Sequence, residues 1–246
     1  MTRSFFHHVL EKVASLAPGR VGSALDRLRP ELATDLGGPF NGQTQRVKIV
    51  SDILARVAFD LVVETGTYRG ATTAFLREKT TCPIVTIERS SRFYHYARRQ
   101  LSGLSGVVPV RGDSPTEIRR IASAPHRHSQ LPFFYLDAHW GSHLPIRCEL
   151  IEILAGWTSF CAVIDDFAVP GDPGYRYEDW GPGFRMDSSV LKGLPLGEAQ
   201  LFWPDIPSSL ETGHRRGWLV MGRGEGVVAA LRSTVALRHD QTAAWA

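Results

Sequence analysis

Val62-Val63-Glu64-Thr65-Gly66-Thr67-Tyr68-Arg69-Gly70, residues 62–70, is where the chain changes rhythm. A short β-branched run ends in a carboxylate, and two glycines then let the backbone turn sharply and approach a ligand closely. The next stretch, near 70–79, has helical length and composition. Strand, tight loop and helix form the opening unit of a parallel α/β sheet.

The same unit recurs downstream. Short apolar runs at Asp60–Glu64, Pro83–Glu88, Val107–Arg111, Pro132–Asp137 and Phe160–Asp165 alternate with helical segments near 70–79, 90–103, 115–123 and 143–156. Near-continuous apolar strands indicate a sheet covered on both faces. Gln200–Pro204 and Gly217–Gly222, joined by a Pro/Ser/Gly-rich loop, are expected to close the sheet as an antiparallel pair. Upstream, Phe5, Phe6, Val9, Leu10, Val13 and Leu16 recur at helical spacing over 2–17 until Pro18-Gly19. Val47, Val50, Ile53, Leu54 and Val57 mark a second helix. The expected division is an N-terminal helical extension, 1–44, and a sheet domain, 45–246, with a lid loop at 167–186. The apolar, Ala-rich tail after Gly226 is expected to pack.

A chain of 246 residues with 43% hydrophobic and 22% charged residues suits one large domain with an appendage and excludes dominant disorder. Net charge is 28 − 25 = +3, too small and too evenly spread to make nucleic acid the default partner. The pairs Arg98–Arg99, Arg119–Arg120 and Arg215–Arg216 read as solvated. Cys82, Cys148 and Cys161 form no C-x-x-C pair, which argues against a disulfide framework or thiolate zinc site and fits a reducing cytoplasm. His7, His8, Glu11 and Lys12 interrupt any signal-peptide core, and no apolar stretch suggests a membrane partner. A homo-oligomer is compatible with this composition.

In an open parallel sheet, ligands bind beyond the carboxyl ends of the strands. Those ends carry Glu64, Glu88, Gly112-Asp113-Ser114, Asp137-Ala138-His139-Trp140 and Asp165-Asp166-Phe167. Helix capping accounts for one or two such carboxylates, not for acidic groups from five elements. The first loop reads G-x-x-x-G rather than G-x-G-x-x-G, which weakens a nicotinamide reading. Glu88, about 20 residues on, stands where a carboxylate accepts both hydroxyls of an adenosine ribose. Together these features favour a nucleoside-type ligand.

VVETGTYRGATTAFL, IVTIERS, VVPVRGDS, FFYLDAHW and AVIDDF resemble the successive motifs of class I S-adenosylmethionine-dependent methyltransferases, over about Asp60 to Met221. The resemblance implies a Rossmann-like, seven-stranded, mostly parallel sheet with an antiparallel final hairpin and helices on both faces. It implies an enzyme whose cofactor is S-adenosylmethionine. Glu64, Thr65, Gly66 and the backbone of Thr67, Tyr68, Arg69 and Gly70 would surround the methionine part. Glu88 would take the ribose hydroxyls, Asp113 and Ser114 would sit at the adenine edge, and Asp137 would lie beside the cofactor.

Asp137, Asp165 and Asp166 would repel one another unless protonated or neutralised. A hard divalent cation such as Mg²⁺ resolves the conflict, and these positions are similar to those of metal-dependent O-methyltransferases of the catechol and sugar-methylating types. His139, two residues past Asp137, could take the acceptor's proton, stack on the cofactor as Trp140 could, or bind the metal. His143 is read as a surface or helix-start residue, and His126 and His128 as loop residues without a role. In the lid, Tyr175, Tyr177, Trp180 and Phe184 would wall the substrate site, while Arg176, Glu178 and Asp179 could read hydroxyls. The expected function is Mg²⁺-assisted methylation of a hydroxyl on a small polar molecule, such as a natural-product sugar or vicinal diol. The alternatives are a metal-dependent hydroxylase, a nicotinamide-binding oxidoreductase and a non-catalytic cofactor-binding subunit. A hydrolase is disfavoured by the lack of G-x-S-x-G.

Overall fold

The computed structural model describes residues 10–29, 31–32, 36–125, 127–139 and 143–239. Five strands, β1 (Leu61–Thr65), β2 (Ile84–Glu88), β3 (Val107–Arg111), β4 (Pro132–Leu136) and β5 (Phe160–Asp165), pair in parallel. β6 (Gln200–Pro204), β7 (Trp218–Arg223) and β8 (Leu237–His239) complete the sheet in the order β3-β2-β1-β4-β5-β7-β6-β8. β7 lies antiparallel between β5 and β6, as the sequence suggests. β8, antiparallel to β6 at the edge, is an eighth strand beyond the seven expected.

The helices are α1 (Gly19–Arg27), α2 (Thr44–Arg56), α3 (Ala71–Lys79), α4 (Ser91–Gln100), α5 (Ser114–Ala122), α6 (Ile146–Gly156) and α7 (Glu225–Ser233). Side chains alternate across a strand, so each central strand feeds two cores. Val62, Phe133, Tyr135, Val163 and Val220 pack with α2, α3 and α7 through Ile53, Leu76 and Leu231. Leu61, Val63, Phe134, Leu136 and Ile164 pack with α5 and α6 through Ile118, Leu150 and Ile153. This two-sided burial is why β1, β4 and β5 read as unbroken apolar runs. β3 is the edge strand opposite β8, half exposed and carrying Pro109, whose missing N–H an edge tolerates.

The N-terminal region docks through charge rather than an apolar stripe. Asp26 is fully buried and accepts from Arg29 Nη2 at 2.5 Å, Arg92 Nη2 at 2.6 Å and Arg92 Nε at 2.7 Å. Glu11 accepts from the same two arginines at 2.8–2.9 Å, Arg92 foremost, and its carboxyl is drawn down to about 2. Gly19 permits the approach, since a Cβ there would overlap Ser91 on α4. Residues 10–16 are helical; the start of the expected 2–17 helix and the tail from 240 lie outside the described residues. Residues 39–43, which the sequence reading gives to the extension, pack with the sheet domain, Phe40 entering the core beside Phe75 and Tyr135. No helix among the described residues is long and apolar enough to cross a membrane.

Candidate active site

Glu64, at the end of β1, is 1% exposed. Its Oε2 accepts from Thr86 Oγ1 at 2.5 Å and from Thr73 Oγ1, while Oε1 is buried without a hydrogen-bond partner. Burial, opposed by the two hydroxyls and reinforced by the charge of Glu88, pushes its carboxyl up to about 7. Two residues on, Gly66 adopts φ +80°, and a Cβ there would overlap the Asp137 carbonyl oxygen. The Asp137 amide donates to the Thr65 carbonyl at 3.0 Å, so the loops after β1 and β4 meet here. Gly70, at φ +84°, starts α3.

Glu88 ends β2 pinned by two backbone amides: Tyr68 N donates to Oε2 at 2.8 Å and Ser90 N to Oε1 at 2.7 Å. Burial shifts its carboxyl upward against these bonds. Each carboxylate oxygen retains a further acceptor site. The Tyr68 and Phe93 rings meet at a tilt of 59° with centroids 4.6 Å apart, and the Arg69 guanidinium lies 4.5 Å over the Tyr68 ring. Asp113 opens α5 beside buried Ser114. His143, read from sequence as a bystander, places Nε2 3.9 Å from Asp113 Oδ1. Trp140 lies outside the described residues. The sequence reading misses Glu149 of α6, a fully buried carboxyl pushed up by burial and facing the Ser114 and Thr65 hydroxyls.

At β4 and β5 the acidic groups divide differently from expectation. Asp165 is fully buried, ion-paired to Arg46 of α2, and accepts from Tyr135 Oη at 2.5 Å, the Asp166 amide at 2.7 Å and Asn41 Nδ2 at 3.3 Å. Its oxygens are therefore engaged, and it does not join Asp137 and Asp166 as a ligand group. Asp166 is gripped by Arg216 through Nε and, at 2.7 Å, Nη2. His139 Nε2 lies 3.0 Å from Asp166 Oδ2 and 3.6 Å from Asp137 Oδ1. Among the described residues, the donor atoms that converge, all within 4.8 Å of one another, belong to Asp137, His139 and Asp166.

The two arginines change the electrostatic argument. Three carboxylates without a counter-charge would call for a cation, but Arg46 and Arg216 supply one positive charge each to Asp165 and Asp166. Burial, with the charges of Asp165 and Asp166, holds the Asp137 carboxyl well above its usual range. The Asp166 carboxyl, which burial would raise, is instead held well below it by His139 and Arg216. Burial would lower the His139 imidazole, but the Asp166 hydrogen bond and the charges of Asp166, Asp165 and Glu178 outweigh it and raise the pKa. Neighbouring groups thus differ in their readiness to hold a proton, the pattern acid–base chemistry needs. Arg46 had one legible signal: it extends the buried stripe Ile49, Val50, Ile53 and Leu54 of α2 by one turn. Arg216 had none, since only the β5–β7 pairing brings it there.

The loop over 167–186 is tied down at its base. Glu178 N donates to the Asp166 carbonyl at 3.0 Å, Ala168 N to Met186 O at 2.7 Å and Arg176 N to Arg215 O at 2.9 Å, and Arg216 also pairs with Glu178. Tyr175, expected to face substrate, is 2% exposed and donates its hydroxyl to the Ile206 carbonyl at 2.9 Å; it anchors the loop. Tyr177 Oη accepts from Arg185 Nη2 at 2.6 Å. Trp180 and Phe184, near the tip, are exposed.

No protein-family model matches the sequence. No curated protein matches it either. Solved structures do. An O-methyltransferase from Bacillus cereus, in complex with S-adenosylhomocysteine, is 14% identical, with TM-score 0.56 over 88% of this chain and 97% of that one. A protein from Klebsiella pneumoniae assigned to the O-methyltransferases is 15% identical, with TM-score 0.55 over 86% and 93%. At such identities the likeness establishes the fold, a Rossmann-like methyltransferase fold.

Proposed function

We propose that the chain is an S-adenosylmethionine-dependent O-methyltransferase acting on a hydroxyl of a small polar molecule. The observation that carries the reading is the alignment of two different sites along one sheet edge. A buried carboxylate with an unpartnered oxygen and a pinned second carboxylate stand at β1 and β2; a histidine–carboxylate pair stands at β4 and β5.

The chain's own groups fit the cofactor. Glu64 Oε1 is an acceptor without a donor, suited to an α-ammonium group. Glu88 is held at a fixed angle by amides that leave acceptor capacity for two ribose hydroxyls. The Gly66 and Gly70 turns bring the intervening backbone to the same edge. When bound, the cofactor supplies a sulfonium-activated methyl group, which an acceptor oxygen takes as it loses its proton.

His139 is the group to receive that proton. With Nε2–H donated to Asp166, Nδ1 is the basic nitrogen, and Asp166 favours the imidazolium that forms. Arg216 keeps Asp166 ionised. Asp137, whose carboxyl is held above its usual range, stands beside this pair, its Oδ1 3.6 Å from His139 Nε2.

Metal assistance is the second reading, favoured by the cluster of Asp137, His139 and Asp166. A divalent cation held there would lower the pKa of the acceptor hydroxyl, with His139 as ligand instead of base. The histidine-as-base reading is preferred, because Arg216 already binds both oxygens of Asp166 and charge balance needs no metal. A hydroxylase fits less well, since the cluster holds one histidine where the facial triad needs two. Incubation with methyl-labelled cofactor and a panel of sugars, vicinal diols and phenols, in Mg²⁺ or in EDTA, tests both readings. Transfer that survives EDTA supports the histidine reading, and transfer restored only by a divalent cation supports the metal. No labelled product and no S-adenosylhomocysteine binding by the folded protein ends the proposal.

A further inference from the structure

Four charged side chains close on one another between the N-terminal segment and α4. Arg92 donates from Nε and Nη2 to the two Asp26 carboxylate oxygens at 2.7 and 2.6 Å, and from Nη1 and Nη2 to the two Glu11 oxygens at 2.8 and 2.9 Å. Arg29 Nη2 reaches the same carboxylates, Asp26 at 2.5 Å and Glu11 at 2.9 Å. The two positive and two negative groups cancel, with Asp26 fully buried and Arg92 8% exposed. An apolar contact of the same volume would hold the helices together as well. Forked ion pairs add a fixed orientation.

Arg92 stands in the first turn of α4, where the helix dipole disfavours a cation. Its counter-charges come from the N-terminal segment, which is shaped for the approach. A Cβ on Gly19 would overlap Ser91, and one on Gly22 would overlap the Ala14 carbonyl oxygen and press on Arg92 Cδ at 3.3 Å. A local preference broken and then compensated from elsewhere in the chain is a mark of functional sites. The same turn of α4 builds the nucleoside edge. Ser90, its N-cap, donates its amide to Glu88 Oε1 at 2.7 Å and accepts from Phe93 N through Oγ at 3.4 Å. The Arg92 guanidinium lies 5.2 Å over the Phe93 ring, which meets the ring of Tyr68, whose amide holds Glu88 Oε2 at 2.8 Å. Both residues that pin Glu88 therefore touch Phe93, the neighbour of Arg92.

We infer that Arg92 is a positioning residue of the nucleoside site: held by Asp26 and Glu11, it fixes the first turn of α4 and with it the Glu88 carboxylate. Docking of residues 10–29 and nucleoside binding then favour each other, and by linkage each strengthens the other by the same factor. The N-terminal segment is thereby part of the cofactor-binding unit, although the described groups that hydrogen-bond Glu64 and Glu88 all lie outside it. The ligand named here rests on the reading of Glu88 as the ribose carboxylate.

The test uses the full chain. S-adenosylhomocysteine is titrated by calorimetry into the wild type, Glu11→Gln, Arg92→Lys and Arg92→Met. Asp52→Asn, which breaks an exposed ion pair with Arg56 on α2, is the control. Hydrogen exchange of amides 10–29 is followed with and without the ligand, and melting temperatures are recorded on the same samples. Affinity should weaken about fivefold or more in Glu11→Gln and further in Arg92→Met, with Arg92→Lys recovering part of that loss and Asp52→Asn unchanged. In the wild type the ligand should slow exchange at 10–29, and in Glu11→Gln that response should shrink. The Glu11 side chain is 46% exposed and its described ion pairs are with the two arginines, so this variant decides the matter if Arg92→Met does not fold. A quartet with a structural role alone would lower the melting temperature while affinity and the exchange response stay as in the wild type. That result overturns the inference and leaves the nucleoside reading standing. A folded wild type that binds no S-adenosylhomocysteine removes the nucleoside reading and the inference with it.

Discussion

Replacing Glu64 by Gln should alter the pH dependence of stability in a direction opposite to that of most carboxylates. The group is buried, and its carboxyl is pushed from about 4.5 in the unfolded chain up to about 7 in the native state. The native state therefore holds a proton that the unfolded state releases between these values. Stability linked to Glu64 is fully present below pH 4.5 and is lost as pH rises through 7. A shift of that size corresponds to about 3 kcal/mol at roughly 1.4 kcal/mol per unit. The amide of Glu64→Gln does not titrate. In urea denaturation at pH 4.5 and pH 8, the stability of wild type minus variant should fall by about 3 kcal/mol on going to the higher pH. A difference unchanged between the two pH values would refute the buried, under-solvated state assigned to Glu64. Binding adds a second readout. An ammonium group beside Oε1 favours the carboxylate, so S-adenosylhomocysteine affinity should rise with pH through 7 in the wild type and stay flat in the variant.

Arg46→Met should destabilise the chain by roughly 3–5 kcal/mol, because Asp165 is left buried and charged, and adding Asp165→Asn should recover much of the loss in the same urea titration. His139→Gln should lower methyl transfer by about 10²–10⁴ and remove the acidic limb of the pH–rate profile, which in the wild type should titrate above the ordinary imidazole value of 6.5; a retained limb would exclude the imidazole as base. Gly66→Ala should abolish nucleoside binding and lower the melting temperature, since its Cβ meets the Asp137 carbonyl at positive φ; calorimetry and thermal melts on one preparation check both effects.

Much of the architecture was legible because alternation and length are local signals. The β1–α3, β2–α4 and β4 units, the five strand-end carboxylates and the β6–β7 pair are all visible in the residue pattern. β8 was not: a three-residue strand after a helix carries no period of its own and is defined only by pairing with β6. Glu64, Glu88, Asp137, His139 and Asp166 stand at the expected edge, yet their charge state was illegible because it depends on distant partners. Arg46 lies 119 residues from Asp165 and Arg216 lies 50 from Asp166. Asp165 therefore looked like a ligand when it is half of a buried ion pair, and Arg216 looked solvated when it holds the lid to the strand end. Tyr175 failed for a related reason: an aromatic in a Pro/Gly-rich loop can wall a pocket or anchor the loop, and the Ile206 carbonyl decides which.

The central claim is that the edge formed by β1 and β2 holds an adenosyl amino acid between Glu64 and Glu88. Calorimetric titration of S-adenosylhomocysteine into the wild type and into Glu88→Ala tests it most directly. The account requires one saturable site per chain, weakened at least tenfold when the Glu88 carboxylate is removed, with NAD giving no heat in either protein. A folded wild type that binds NAD and ignores S-adenosylhomocysteine, or equal affinity in the two proteins, would contradict it.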